Sequence, residues 1–241
     1  MNRGPHISFR DAGAHVVEPE VDVVVVGSGA GGAAAAVTLA RQGVSVAIVE
    51  AGPWRDPPDY PHSAYGGLRD LMEEWGAQTT IGRAFWPVAQ ARTMGGTTVV
   101  NSAICVRTPD DIFVQWQKEH GVSGLRERML THQERLEHEL CVEEVPVGSR
   151  GRSNELAMKG AQALGWSEAH YMHRYVKGCA GSGQCISGCA LMRKQSTNIN
   201  FIPETRARGG VILSCAPVSR VLFEGRRAVG VTGHFVPPIT K

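Results

Sequence analysis

The sequence predicts an α/β chain built on a doubly wound parallel sheet, and three observations within one stretch carry that reading. Residues 21–26 read Val-Asp-Val-Val-Val-Val, a run that is β-branched apart from Asp22 and of the kind that a parallel strand covered on both faces requires. Gly27-Ser28-Gly29-Ala30-Gly31-Gly32 follows at once and passes into small helix-forming residues that can pack closely on a sheet until Gly43 ends them. A second β-branched run, residues 44–49, then delivers Glu50, with 17 residues between that acid and Gly32.

Each part of this strand, turn, helix and strand has a physical task. Gly27 makes the tight turn, Gly29 lets backbone approach a pyrophosphate, and Gly32 lets helix and strand pack closely, with Ser28 and Ala30 filling the turn between them. The helix start offers free N–H groups and the positive end of its dipole to an anion. Glu50, at the end of the second strand, is placed to accept bonds from the hydroxyls of an adenosine ribose. Glycine spacing, strand, helix and acid stand in register, so the unit reads as a dinucleotide site. Like-charge repulsion from Glu50 disfavours a ribose 2′-phosphate; it does not separate NAD from FAD.

Composition narrows the classes. With 241 residues and 42% hydrophobic content, the chain can build one large domain or part of a larger one. A net charge of +2 without a basic stripe gives no support for nucleic acid as a partner. Residues 1–20 read as a polar N-terminal tail without the apolar core of a secretory signal, and no run of 18 apolar residues exists to span a membrane. Six cysteines in such a chain suit reduced thiols or metal ligands better than disulfides, which makes the cytoplasm the expected location.

After Glu50-Ala51-Gly52 the chain carries four prolines between Pro53 and Pro61, which excludes regular structure and predicts a path over the surface or across a ligand. A short helix is expected over 68–75. Residues 91–105 then place Gly95-Gly96-Thr97-Thr98 ahead of two valines and Asn101, a pattern that can lay bare N–H groups against phosphates and set an amide near a ring. Taken alone, the same pattern serves equally as a turn into a buried strand.

Together, Gly27 to Gly32, the ending Glu50-Ala51-Gly52 and Arg92-x-x-Gly95-Gly96-Thr97-Thr98-x-x-Asn101 resemble the N-terminal half of the glucose-methanol-choline (GMC) oxidoreductases, which are FAD flavoenzymes. The resemblance implies that Gly27, Ser28, Gly29, Ala30, Gly32, Glu50 and Ala51 hold the ADP part of FAD. It implies that Arg92, Gly95, Gly96, Thr97 and Asn101 run along the pyrophosphate, ribityl chain and flavin, and that the backbone at Val218 touches the adenine. FAD thereby overtakes NAD. The expected division is a tail at 1–20, an FAD-binding domain of Rossmann type with a β-meander at 21–233, interrupted by a helical and loop insertion at 53–175, and a divergent tail at 234–241.

The middle of the chain reads as ordinary amphipathic helix over 109–120, 125–140 and 154–164, with His120, His132 and His138 on solvated faces. His170 and His173 form a pair too small for a metal site on their own. Cys179, Cys185 and Cys189 lie within eleven residues of glycine-rich loop, and this stretch reads in two ways. A three-iron [3Fe-4S] cluster needs three thiolates, and the spacing resembles that of cluster-bearing FAD glucose dehydrogenases, which pass electrons to a cytochrome. Reduced cysteines packing a loop beneath the flavin domain fit equally well. Cys105, Cys141 and Cys215 read as buried small hydrophobes.

Towards the end, residues 211–215 read as a strand returning to the sheet, and 218–223 with 227–231 as a hairpin about Glu224-Gly225-Arg226. The resemblance then stops after Gly233, at about half the length it leads one to expect. The half it implies but does not cover supplies most of the substrate domain, the last FAD-binding strand, and a histidine paired with histidine or asparagine that takes the alcohol proton as hydride passes to flavin N5; no catalytic residue is therefore assigned here. Three readings follow: an FAD oxidoreductase acting on the CH–OH group of an alcohol or sugar, with a complementary C-terminal chain or an electron-acceptor subunit as partner; a nucleotide-binding fragment without catalysis; and an FAD/iron–sulfur electron-transfer subunit.

Overall fold

Strand pairing in the computed structural model, which describes residues 3–13 and 15–238, follows the β-branched runs. In chain order the regular elements are β1 (His6–Ile7), α1 (Phe9–Ala12), β2 (Val23–Val26), α2 (Ala30–Arg41), β3 (Val46–Val49), α3 (Ala64–Leu71), α4 (Asp110–His120), α5 (Leu125–Glu139), β4 (Val142–Glu144), α6 (Arg152–Ala163), β5 (His173–Tyr175), α7 (Phe201–Ala207), β6 (Val211–Leu213), β7 (Val218–Glu224) and β8 (Arg227–Gly233). They fall into two compact units. One holds the described residues up to Ser102, Gln184–Met192 and those from Ser196 on; the other holds Ala103–Gly183 and Arg193–Gln195.

The first unit is built on a parallel sheet in the order β1-β6-β3-β2. Its register aligns Val25, Ile48 and Ile212 across one face, and Val26, Val49 and Leu213 across the other. Against the first face lies α2, whose buried residues are Ala33, Ala36, Val37 and Ala40. Beside it α7 buries Phe201, Ile202 and Thr205, and Arg41 of α2 grips Glu204 of α7 through Nε–Oε1 and Nη2–Oε2 bonds of 2.9 and 2.7 Å. Against the opposite face, Ala47, Val49, Leu213 and Ala216 meet Val218 of the antiparallel β7–β8 hairpin and Phe235 beyond it. The sheet is therefore sandwiched between helices and a two-stranded hairpin, the parallel α/β arrangement that the sequence leads one to expect.

Four features differ from the sequence reading. The run at 23–26, expected to be covered on both faces, forms the last strand of the sheet, and Val26 stays 56% exposed because among the described residues nothing pairs with its outer side. The segment expected as an N-terminal tail supplies a strand: Ile212 N donates to Pro5 O and Ser214 N to Ile7 O, each at 3.0 Å. His234–Pro238, expected as divergent tail, is also anchored, by Phe235 in the core and by Val236 N donating to Cys215 O at 2.8 Å. Residues Met1, Asn2, Ala14 and Ile239–Lys241 lie outside the described residues. The helix expected at 68–75 begins earlier, because the Ser63 side chain caps it by accepting from Gly66 N at 3.0 Å. It ends at Leu71, where the chain turns extended to pair Met72 with Ala91.

The proline-rich stretch packs into this unit instead of skirting it. Pro57–Asp59 form a 3-10 turn, and Tyr60 after it is only 3% exposed, its hydroxyl accepting from Asn198 Nδ2 at 2.6 Å. The ring leaves no room at Gly188, where a Cβ would sit 2.4 Å from Tyr60 Cδ2. Burial pushes the Tyr60 hydroxyl up to about 12 from its ordinary 10.0. The neutral phenol is thus favoured by folding, so its contribution is complete below the unfolded value near 10 and is lost as pH rises from there to the folded value. Tyr60→Phe is expected to flatten the fall in melting temperature between about pH 10 and pH 12; an unchanged alkaline limb would show that Tyr60 does not titrate across unfolding.

The second unit is more loosely filled. It contains α4, whose first turn carries Asp110 and Asp111 and which Gly121 ends in left-handed conformation, and α5 and α6, neither with a fully buried residue. β4 and β5 pair antiparallel. Phe113 and Trp116 meet edge-on at 5.7 Å, the apolar side anticipated for α4. The expected insertion at 53–175 is thus narrower than its bounds: residues 53–102 belong with the sheet unit, and the separate unit begins at Ala103.

Candidate functional site

The glycine turn between β2 and α2 sits where the sequence predicts, with one glycine required by its backbone conformation and another by what it touches. Gly27 has φ +90°, the left-handed region that the tight turn needs. A Cβ on Gly32 would lie 2.0 Å from Gly27 O and 3.2 Å from Val25 Cγ1, so close packing of α2 on β2 excludes any side chain there. On the outer side, a Cβ built on Gly27, Gly29 or Gly31 meets nothing within 4 Å. No side chain caps α2, which starts from Gly29. An uncapped helix start with open space over its glycines fits an anionic diphosphate by donor chemistry and by room.

Behind the turn lies a buried polar network. Ser28 is fully buried; its N–H and its hydroxyl both donate to Glu50 Oε2, at 2.9 and 2.6 Å. Gly52 N donates to Glu50 Oε1 at 2.8 Å. Gly95 N donates to Ser28 Oγ at 2.8 Å, and a Cβ on Gly96 would come within 2.9 Å of Gly29 Cα. The two glycine motifs, 67 residues apart between Ser28 and Gly95, are thereby one constellation. Glu50 faces inward to Ser28 and Gly52, and Ser28 works from beneath the turn.

The other expected residues are placed less closely. Arg92 lies beside Ala51 on a small crevice that Cys215 also lines, its Nη1 3.4 Å from Glu73 Oε1. Burial pushes the Cys215 thiol up, away from the reactive thiolate. Thr97 is exposed and Asn101 half-buried on the segment that follows Gly96. Val218 borders a cavity of about 420 Å³ between the sheet face and the β7–β8 hairpin, shared with Val24, Val49 and Phe235.

Sequence reasoning missed four residues that complete the cradle. A Cβ on Gly52 would meet Thr93 N at 2.3 Å, so this glycine is required for the Glu50 turn to lie against the second motif. Thr98 Oγ1 donates to Gly95 O at 2.6 Å, Thr197 Oγ1 donates to Ser28 O at 3.1 Å, and Asn198 holds Tyr60. Thr98 lies within the quoted motif and was open to notice. Thr197 and Asn198 arrive from a hundred residues away without a local pattern.

The cysteine loop gives no support for a metal centre. Among the described residues no three histidine, cysteine, aspartate or glutamate side chains are grouped to hold an ion, and no disulfide joins the six cysteines. Cys179 belongs to the second unit and Cys185 and Cys189 to the first. Residues 185–187 instead form a 3-10 turn packed on α3, where Ser187 Cβ is 2.8 Å from a Cβ built on Gly67. Of the three cysteines expected as buried, only Cys215 is; Cys105 and Cys141 are half-buried. His170 and His173 stand 6.5 Å apart between ring centroids without a third ligand.

Comparison with known proteins gives the family of the chain. An uncharacterized GMC-type oxidoreductase of Mycobacterium tuberculosis is 37% identical over 216 residues, covering 87% of this chain and 34% of its own. A long-chain-alcohol oxidase of Arabidopsis thaliana is 29% identical over 214 residues, covering 84% of this chain and 27% of its own. A formate oxidase of Aspergillus oryzae, from a structure concerned with modification of its FAD, superposes with a TM-score of 0.62 at 17% identity over 98% of this chain and 43% of its own. The chain thus spans about a third of the curated relatives it matches, shorter than the half the sequence suggested. The GMC oxidoreductase family matches residues 21–238, four-fifths or more of the chain, and the chain belongs to that family.

Proposed function

We propose that this chain is the cofactor-holding part of an FAD-dependent oxidoreductase that acts on the CH–OH group of an alcohol or sugar. The observation that carries the reading is the joined pair of glycine turns over an uncapped α2, with open space above Gly27, Gly29 and Gly31. FAD, when bound, supplies the hydride acceptor. The chain's own residues bind and orient. The start of α2 takes the diphosphate, and Glu50 Oε1, which carries one bond from Gly52, keeps acceptor capacity for a ribose hydroxyl. Arg92, Thr97 and Asn101 follow along the cofactor towards its flavin end. The relatives named as alcohol-oxidising support the substrate class, and among the described residues no helix is long and apolar enough to cross a membrane.

An absorption spectrum of the purified chain, taken before and after adding FAD with acid-released flavin and iron quantified, tests the reading. Flavin bands that persist through gel filtration, with no iron, are the expected result. Protein that stays colourless at saturating FAD would leave a family fold without a working cofactor site. Iron with a broad visible shoulder would restore the iron–sulfur alternative.

A further inference from the structure

We propose that Thr197 is a positioning residue that aims the N–H of Gly29 at the diphosphate, an inference that rests on the FAD reading of the glycine cradle. Thr197 lies on neither glycine motif, yet its 4% exposed side chain reaches both. Its Oγ1 is 3.1 Å from Ser28 O and 3.3 Å from Gly95 O. Thr98 Oγ1 already donates to Gly95 O at 2.6 Å and accepts from Thr197 N at 3.2 Å. Thr98 Oγ1 also lies 3.2 Å from Thr197 Oγ1, and Ser28 O is the nearest acceptor for the Thr197 hydroxyl proton. With Gly95 N donating to Ser28 Oγ, these bonds close a ring through Thr197, Thr98, Gly95 and Ser28.

Peptide planarity converts that ring into a binding geometry. Among the described residues every peptide is trans, so the N–H of Gly29 points opposite to the Ser28 carbonyl in the same plane. Thr197 holds that carbonyl and thereby turns the Gly29 N–H away from Thr197, at a glycine whose Cβ position is open for 4 Å. A threonine that merely filled a buried gap would need a partner on one side only. Here one hydroxyl sits between the carbonyls of two turns, Ser28 O and Gly95 O, and so ties the two glycine motifs together.

The test compares Thr197→Val, which keeps shape and loses the hydroxyl, with Thr197→Ser, which keeps the hydroxyl and loses a methyl group. Binding of FAD, ADP and adenosine is measured by titration on the full chain, with melting curves on the same samples. Thr197→Val is expected to weaken FAD and ADP about tenfold or more and to leave adenosine, which has no diphosphate, within about twofold. Thr197→Ser is expected to bind all three like the unaltered protein. Should Thr197→Val fail to fold, Thr197→Ala removes the same hydroxyl without adding a methyl group and carries the same expectation. Unchanged FAD and ADP affinity in the valine variant, equal losses in valine and serine variants, or a parallel loss of adenosine would each overturn the role of the hydroxyl while leaving the FAD reading intact. Unaltered protein that binds neither FAD nor ADP overturns the cofactor reading, and this inference with it.

Discussion

Gly32→Ala is expected to destabilise the chain by about 3 kcal/mol, a fall of roughly 6–12 °C in melting temperature, and to abolish FAD uptake, although only one methyl group is added. The methyl carbon would lie 2.0 Å from Gly27 O and 3.1 Å from Gly27 C, both backbone atoms of the turn itself, and 3.2 Å from Val25 Cγ1. A flexible side chain could swing aside. Backbone cannot, so α2 must lift from β2, opening the face on which Ala33, Ala36 and Val37 are buried and misplacing the N–H groups that the proposed FAD site offers to the diphosphate. Gly29→Ala separates the two consequences. Gly29 has φ −63° and open space at its Cβ, so alanine is tolerated there within about 0.5 kcal/mol. Its methyl group nevertheless occupies the ground the phosphates need, and FAD affinity is expected to fall by at least about tenfold with the melting temperature unmoved. Thermal denaturation and FAD titration of both variants decide the matter: a Gly32→Ala protein as stable as the original, or a Gly29→Ala protein that binds FAD normally, contradicts these roles.

That contrast shows why this region was legible in the sequence. The tasks of Gly27, Gly29 and Gly32 are set by neighbours within a few residues, so spacing alone conveys them, and the β7–β8 hairpin announces itself by turn chemistry for the same reason. The second glycine motif is ambiguous by itself and gains its meaning by lying in order behind the first. What stayed hidden depends on distant pairing. β1 is two residues long and has no periodicity to detect, and it becomes a strand only because β6 offers an edge. The burial of β2 could not be read from its valines, since a run that suits an interior strand is equally compatible with the end of a sheet. The cysteine spacing invited a cluster because local sequence gives reach along the chain and says nothing about which body each thiol joins. Tyr60, Thr197 and Asn198 are polar residues without pattern whose importance lies wholly in their partners.

Glu50 is the residue for which sequence and structure give different jobs, and removing its carboxylate should distinguish them. By position it is a ribose ligand. By geometry it is the acceptor that holds Ser28 N at 2.9 Å, Ser28 Oγ at 2.6 Å and Gly52 N at 2.8 Å, at 7% exposure. A hydrogen bond to a charged acceptor contributes about 1.5–3 kcal/mol and a buried donor left unmet costs about 1–3 kcal/mol. These terms overlap, so Glu50→Ala is expected to lose about 4 kcal/mol in total. Glu50→Gln keeps the shape, but its amide can present oxygen either to the Ser28 donors or to Gly52, never to both, and about 1–2 kcal/mol should go. The measurement is urea unfolding of cofactor-free protein, because a residue that serves only the ribose leaves that transition untouched. A midpoint falling in the order original, glutamine, alanine assigns Glu50 to the framework that joins the two glycine turns. Three coincident transitions would return it to the ribose alone and leave Ser28 and Gly52 to be held by their backbone neighbours.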